Sequence, residues 1–294
     1  MKRLVMALAL VLSLASPALA HNLWVNLTES FAHPPGHVTT LLGFGHVMPF
    51  DDLLTSDHGV IRLQTYSLVG PDGRAVDLRL PSAKVEPKQK TPLNLTVQGG
   101  DLGLRKIALT GQTTPGTYQV AAKSHPLFFT MYVDAQGKKR MAPKPMDALS
   151  GAKQVFASMK YQSFAKAFFA VKEWSQPQAL GHDLELMPLS DLSQVRVGEV
   201  VRFKVTFQGQ PVTSNIQNIE TMTCESNTFG VPDGFHLAAY IMNGVAQFRM
   251  PTAGQWVANI YYHRKVADDP RFKDLRGKCK DVYIAGSIGF TVKP

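Results

Sequence analysis

Residues 21 to about 135 contain short apolar or alternating runs that are separated by sequences favouring turns. Gly70-Pro71-Asp72-Gly73, Gly99-Gly100-Asp101 and Thr114-Pro115-Gly116 are the clearest of these turns. Short runs bounded by Gly and Pro in this way are typical of strands in a sandwich of antiparallel sheets. The strands predicted for this first sandwich are 38–44, 60–69, 75–80, 93–97, 104–109, 118–122 and 127–133.

The same pattern returns after residue 179 and predicts a second, smaller sandwich over 179–294. Residues 201–207 alternate between apolar and polar, and Asn243-Gly244 is a typical two-residue hairpin turn. The strands predicted for this half are 184–188, 201–207, 236–241, 245–250, 256–262 and 283–292.

The segment 136–178 differs from both halves. Gly137, Pro143 and Pro145 indicate a linker, and an apolar stripe with a helical period then runs through 146–174. The stripe contains Ala152, Phe156, Met159, Ser163, Ala167, Ala170 and Trp174. We therefore predict a mostly β protein of two immunoglobulin-like β-sandwich domains, 21–135 and 179–294, joined by a linker and an amphipathic helix over 136–178.

The start of the chain has the three parts of a secretory signal peptide, which we place at 1–20. Lys2 and Arg3 form a basic region, an apolar run follows, and Ala18-Leu19-Ala20 is a typical cleavage site. Cleavage after Ala20 leaves 274 residues, which is 294 minus 20, with His21 as the first. The short apolar region favours export to a bacterial periplasm.

A histidine at the mature amino terminus offers two nitrogens to one metal ion, the α-amine and its own Nδ1. The α-amino group titrates at about 7.7–8.0 and imidazole near 6.5, so both are available as neutral ligands near neutral pH. Copper, nickel and cobalt have high affinity for nitrogen donors. His21 is therefore the strongest candidate ligand in the sequence.

Four other histidines are predicted as further ligands of the same ion. His46 follows Gly45, where glycine permits close approach of the backbone. His37 follows a Pro-Pro-Gly sequence, and His125 and His263 lie at the ends of predicted strands, where they could converge on the amino terminus.

Two aspartates and the remaining histidines have other predicted roles. Asp51 and Asp52 could supply an oxygen ligand or orient an imidazole by hydrogen bonding, although paired aspartates more often only solvate a loop. The histidines without a spacing signal, which we predict to be structural, are His58, His182 and His236.

Charge and hydropathy exclude two classes of function. The formal net charge of +9 becomes +7 when Lys2 and Arg3 leave with the signal peptide. Most basic residues are scattered singly, whereas a nucleic-acid-binding surface needs clustered basic residues, so we predict no nucleic-acid partner. No later apolar run reaches the roughly 18 residues that a membrane helix needs, so the mature protein is not expected to span a membrane.

The sequence contains two cysteines, Cys224 and Cys279. In an oxidising compartment the expected state is one disulfide, which would close a loop of 56 residues. Such a loop would stabilise the fold by about 4 kcal/mol in the chain-entropy model. The alternative is a pair of soft metal ligands, which no C-x-x-C spacing supports.

Several segments of the mature chain resemble a family of bacterial exported proteins. The family is labelled as the periplasmic component of a nickel/cobalt uptake system (NikM-like), or as a domain of unknown function. The resemblance implies two immunoglobulin-like domains and a metal-handling role. The matching segments are 160–167, 181–189, 197–199, 203–205 and 207–212, together with His21-x-x-Trp24, Gly45-His46 and Pro251-x-Ala253-Gly254-x-Trp256.

We therefore expect a periplasmic protein that binds nickel or cobalt, with copper also possible. The ligands would be the His21 amine and imidazole, His46 and one further group. The protein would sequester the ion or deliver it to an inner- or outer-membrane metal transporter, and it is not expected to be an enzyme. Two alternatives stay open: a metal-free binding or scaffold module, and a copper-dependent polysaccharide monooxygenase, which also uses an amino-terminal histidine.

Overall fold

The computed structural model of this chain describes residues 21–56, 59–229 and 235–294, and nearly all of their regular structure is β. The predicted signal peptide, residues 1–20, and His58 lie outside the described residues. The first strands are β1 (Asn22–Leu27), β2 (Phe31–Ala32), β3 (Gly36–Gly45), β4 (Thr55–Ser56), β5 (Gly59–Val60), β6 (Leu63–Val69), β7 (Ala75–Asp77), β8 (Gln89–Lys90), β9 (Thr96–Val97), β10 (Arg105–Leu109), β11 (Gly116–Ser124), β12 (Leu127–Val133) and β13 (Lys139–Ala142). The remaining strands are β14 (Gln154–Val171), β15 (Leu184–Pro188), β16 (Val200–Phe207), β17 (Gln210–Pro211), β18 (Thr221–Ser226), β19 (Leu237–Tyr240), β20 (Val245–Arg249), β21 (Gly254–Lys265) and β22 (Asp281–Val292). Two short 3-10 helices cover Met146–Ala148 and Pro270–Leu275.

Three larger sheets form three layers. The middle layer has eleven strands, in which the order β19-β18-β21-β22-β14-β11-β6-β7 is extended by β12, β13 and β2. Strand β14 pairs in parallel with β22 and β2, and the other pairs of this sheet are antiparallel. The sheet β1-β3-β10 covers one face, and the sheet of β15, β16, β17 and β20 covers the other. These sheets confirm the predicted mostly β class. Among the described residues, no helix has the length and apolar character needed to span a membrane.

Strand β14 contributes to both hydrophobic cores. Its even-numbered Phe164 and Phe168 pack into the core beneath β15 and β16. Its odd-numbered Ala165 and Phe169 pack into the core beneath β1 and β3. Because successive side chains of a strand point to opposite faces, one strand forms a wall of both cores.

The structure corrects the prediction of an amphipathic helix over 146–174. Met146–Ala148 forms one 3-10 turn, and Gln154–Val171 is a strand of 18 residues. Every residue from 161 to 171 is buried, since both faces of the strand are covered. A strand buried on both faces is a nearly continuous apolar run without polar alternation, and such a run also matches a helical stripe.

Strand β1 lies directly on β22. The Ser287 hydroxyl donates a hydrogen bond of 2.6 Å to the backbone oxygen of Leu23. A β carbon at Gly289 would lie 2.1 Å from the backbone oxygen of Val25, so only glycine permits this approach. These contacts set the position of the amino-terminal strand on the middle layer.

A buried ion pair lies in the core beneath β15. Lys166 of β14 is 2% exposed and pairs with the Glu185 carboxylate, and its ammonium group also donates to the backbone oxygen of Leu186 at 3.3 Å. The second Glu185 oxygen accepts the backbone N–H groups of Leu180 and His182 at 3.2 and 2.8 Å. Burial lowers the pKa of Lys166 because the ammonium group loses its hydration. Burial, together with the nearby Lys166 charge, lowers the pKa of His182 to about 3.

The predicted disulfide is not formed, because Cys224 and Cys279 are both free and buried. The strand register explains the separation: Cys224 pairs with Ala258, which pairs with Ile288 on β22. Cys279 lies just before β22, and Ile288 lies about 23 Å further along this strand from Asp281. Cys224 is level with Ile288, whereas a disulfide needs the two Cα atoms within about 7 Å. Burial raises the pKa of both thiols, which keeps them protonated.

Candidate metal centre

The pairing of β1 with β3 brings His21 and His46 together. The register joins Asn22 to Gly45, so the residues just outside this pair lie at the same end of the two strands. The two ring centroids are 4.4 Å apart, with 48° between the ring planes. Phe44 stacks on the His21 ring at 5.0 Å and holds it over the strand pair.

The loop after β3 supplies one carboxylate to each imidazole. Asp52 Oδ2 lies 2.8 Å from His21 Nε2, and Asp51 Oδ2 lies 3.6 Å from His46 Nδ1. The loop folds back because the backbone N–H groups of both aspartates donate to the Phe44 oxygen, at 3.4 and 3.1 Å. Asp51 Oδ1 also accepts the backbone N–H of His46 at 2.6 Å. Both aspartates therefore lie at the site as partners of the histidines.

Gly45 and Trp24 determine the path of this loop. Gly45 has a φ of +124°, and a β carbon there would lie 1.7 Å from Asp51 Oδ1, so any side chain would displace the carboxylate. The Trp24 indole N–H and the Asn26 side-chain amide both donate to the backbone oxygen of Pro49 at 3.0 Å. Strand β1 thus holds the loop that carries the aspartates.

The carboxylates give the ring nitrogens different roles. Asp52 contacts His21 through Nε2, which leaves Nδ1 as the ring nitrogen that could ligate an ion. His46 would ligate through Nε2, on the far side of its ring from Asp51 Oδ2. Metal-binding histidines commonly donate their other ring N–H to a carboxylate, which orients the ring.

The side chains alone do not complete a metal site. Within residues 21–56, 59–229 and 235–294, no set of three or more His, Cys, Asp or Glu side chains is arranged to hold a metal ion. A third strong donor would therefore have to be the α-amine of a mature His21.

A cleft of about 270 Å³ opens beside the two histidines. It lies between the end of the β1–β3 pair and the face of β21 that carries the odd-numbered residues. The side chains of His21 and His46 are 22% and 32% exposed, so an ion can reach them from solvent. The residues lining the cleft include Trp24, His46, Met48, Glu225, Tyr261 and Tyr283.

Residues far along the chain hold His21 and Asn22 in place. The Tyr161 hydroxyl donates to the backbone oxygen of His21 at 3.3 Å, and the Asn22 side chain donates to that of Asn259. Burial raises the pKa of Tyr161 to about 12, so its hydroxyl stays protonated and keeps donating at neutral pH. These residues could not be predicted as part of the site, because no local sequence pattern indicates that β14 and β21 lie beside the amino terminus.

The structure does not bring His37 to this site. His37 precedes Gly45 by eight positions on the same strand, which corresponds to about 26 Å. It lies at the opposite end of β3, where it is exposed.

His125 and His263 form no metal-binding group with the histidine pair among the residues that the structure describes. His263 Nε2 contacts Asp281 Oδ1 at 2.9 Å, and its ring stacks on Tyr283 at 4.3 Å. His125 is exposed after β11, and its backbone N–H donates to the Arg62 oxygen. Because β22 and β14 lie between β21 and β11, about 14 Å of sheet separates these two histidines.

The solved structures that resemble this chain include three with low TM-scores. Murine CEACAM1b has a TM-score of 0.18 and 10% identity, covering 92% of this chain and 99% of that chain. A Salmonella alpha-2-macroglobulin mutant has a TM-score of 0.21 and 12% identity, covering 95% of this chain but 15% of that chain. The four N-terminal Ig domains of Dscam1 give a TM-score of 0.19 and 9% identity, covering 90% of this chain and 51% of that chain. At these TM-scores the likenesses carry no argument about fold or function.

Comparison with curated proteins found no match. The model of one protein family, described as a domain of unknown function (DUF4198), matches residues 18–264. That description names no metal and no activity. Because the match spans most of the sequence, the chain belongs to the DUF4198 family.

Proposed function

We propose that this protein is an exported carrier of a divalent transition-metal ion, nickel or cobalt. The observation that supports this proposal best is the juxtaposition of His21 and His46, each beside its own carboxylate. The choice of nickel or cobalt rests on the resemblance to the NikM-like proteins, and copper suits the same nitrogen donors. The ion is cargo, so the proposal includes no catalytic step.

The proposal requires cleavage after Ala20. In an uncleaved chain the nitrogen of His21 is part of a peptide bond, whereas cleavage creates an α-amine with an ordinary pKa of about 7.7–8.0. Binding is expected to weaken below about pH 6.5, because protons then compete with the metal for the amine and the imidazoles. The periplasm is the proposed compartment.

A carrier needs a partner that takes the ion. We propose an inner- or outer-membrane metal transporter in that role, and no nucleic acid. The two hydrophobic cores are compatible with two immunoglobulin-like halves, 21–135 and 179–294, that share β14 as a common wall.

The decisive experiment is calorimetric titration of nickel, cobalt and copper into mature protein that begins at His21. One-to-one binding is expected, and it should be lost when a single alanine precedes His21 and weakened by H46N. The matched control is H37N, which removes an exposed histidine at the other end of the same strand. Full affinity in the alanine-extended protein would contradict the amino-terminal chelate.

A second candidate function is a copper-dependent oxygenase acting on polysaccharides. The observation that favours it is the donor set itself, since the α-amine, the His21 imidazole and a second histidine are the ligands that such enzymes use. Product formation that depends on copper and a reductant would support it over a carrier. Absence of binding by any of the three metals would instead favour a metal-free scaffold.

A further inference from the structure

A hairpin of exposed apolar and basic residues lies between β7 and β10. Its strands, β8 and β9, pair only with each other among the described strands. All residues of 82–90 and 92–97 are exposed. Leu93 in the turn is 77% exposed, and Leu95 and Val97 are 59% and 53% exposed. We refer to residues 84–97 as the 84–97 hairpin.

The 84–97 hairpin separates its apolar and basic residues. The register joins Gln89 to Val97 and Lys90 to Thr96, so Val97 and Leu95 share one face and Lys90 lies on the other. The hairpin contains three lysines and one glutamate, which gives it a net charge of +2. The lysines are Lys84, Lys88 and Lys90, and the acid is Glu86.

This chemistry matches a lipid surface better than a protein surface. Segments that lie on membranes combine apolar residues, which enter the boundary of the acyl chains, with lysines that attract anionic headgroups. Protein interfaces are instead depleted of lysine and enriched in aromatic residues, methionine and arginine. Residues 84–97 contain none of these enriched types.

We infer that the 84–97 hairpin docks this protein on an anionic phospholipid surface. Leu93 and Leu95 would enter the headgroup layer, and Lys84, Lys88 and Lys90 would contact lipid phosphates. This inference does not depend on the metal-binding proposal, because no residue of the hairpin belongs to that site.

The base of the hairpin contacts the loop that carries Asp51 and Asp52. Leu53 packs over Gly100, where a β carbon would lie 3.3 Å from both leucine methyl groups. The Gln98 side chain donates to the backbone oxygen of Thr55 at 3.2 Å. The base of the hairpin therefore lies against the loop that contributes the two aspartates.

The test is sedimentation of the mature protein with vesicles of pure phosphatidylcholine or of phosphatidylcholine mixed with phosphatidylglycerol. Binding is expected only to the mixed vesicles and should weaken as salt is added, because salt screens the lysine charges. L93S/L95S is expected to weaken binding by about tenfold or more. K84Q/K90Q should weaken it several-fold and reduce its salt dependence.

A matched control replaces two apolar residues elsewhere. Ile216 and Ile219 are 98% and 69% exposed, so I216S/I219S removes similar apolar surface outside the hairpin and should leave vesicle binding unchanged. Thermal unfolding of each variant shows whether the fold is retained. As an independent readout, the fluorescence of L93W should shift to shorter wavelength only with the mixed vesicles.

Three results would overturn the inference. The first is no binding to the mixed vesicles, and the second is equal loss of binding in L93S/L95S and I216S/I219S. The third is concentration-dependent self-association that L93S/L95S abolishes, which would assign the hairpin to a contact between two copies of the chain.

Discussion

The buried pair of Lys166 and Glu185 predicts unequal costs for removing its two members. K166M preserves the volume of the side chain and leaves the Glu185 carboxylate with two backbone N–H donors, from Leu180 and His182. E185Q replaces the carboxylate with an uncharged amide, whose single oxygen cannot serve both the Lys166 ammonium group and the two backbone N–H donors, so the buried ammonium group loses its counter-charge. E185Q is therefore expected to destabilise the protein more than K166M.

The magnitude follows from the cost of neutralising the lysine. Breaking a buried ion pair from one side costs about 3–5 kcal/mol. A buried lysine can avoid part of this cost by losing its proton. Deprotonation itself costs about 1.4 kcal/mol for each unit by which the solution pH lies below the ordinary lysine pKa of 10.5. The upper limit is therefore about 4.8 kcal/mol at pH 7 and about 2 kcal/mol at pH 9. For K166M we expect about 1–3 kcal/mol, the cost of a buried acceptor that loses one partner.

Urea unfolding of the mature protein and the two variants, at pH 7 and pH 9, measures these differences. In a separate thermal unfolding measurement at pH 7, E185Q should lower the melting temperature by about 6–15 °C. The double variant K166M/E185Q should cost less than E185Q alone, since it contains no unpaired charge. A cost of E185Q that does not exceed that of K166M, or that is the same at both pH values, would refute the reasoning.

Three other predictions follow from features of the structure. Asp52→Ala should lower metal affinity by about 10–100-fold. The loss should be larger than for Asp51→Ala, because the contact of Asp52 with its histidine is the shorter, at 2.8 Å. Equal affinities of the two variants in calorimetric titration would contradict this prediction. His182 has a pKa of about 3 in the folded state and 6.5 as its ordinary value, so its contribution to stability is fully present above pH 6.5 and is lost as the pH falls toward 3. When the pH is lowered from about 6.5 to 4.5, H182Q should therefore lose less unfolding free energy than the wild type, by up to about 1.4 kcal/mol per pH unit. Urea unfolding across this pH range measures the difference. Parallel pH profiles for the two proteins would show that His182 does not cause the loss of stability. The native protein should not react with a thiol reagent, whereas the protein denatured without reductant should show two thiols, from Cys224 and Cys279; one disulfide and no thiols would contradict the structure.

The sequence predicted the strands better than it predicted how they assemble. The runs at 184–188 and 127–133 are strands with the predicted bounds, because polar turns delimit each run locally. Strand β14 was not predicted, since its two buried faces remove the alternation that identifies a strand. Its parallel pairing with β22 joins segments that are far apart along the chain, and no local signal indicates that pairing.

The candidate site was predicted in part for a similar reason. His21 and His46 have local signals, namely the predicted cleavage site and the preceding glycine, and the structure brings these two together. His37 is near them in sequence but lies at the other end of an extended strand. The positions of His125 and His263 depend on strand order, which the sequence pattern does not contain.

The packing of β1 on β22 has a consequence for the order in which this protein is synthesised and folded. Residues 281–292 are synthesised long after β1, yet Ser287 and Gly289 form the surface on which the amino-terminal strand packs. A nascent chain therefore lacks the support for His21 until β22 has been made. The proposed metal loading should accordingly follow synthesis of β22, and a chain truncated before β22 is expected to bind no ion.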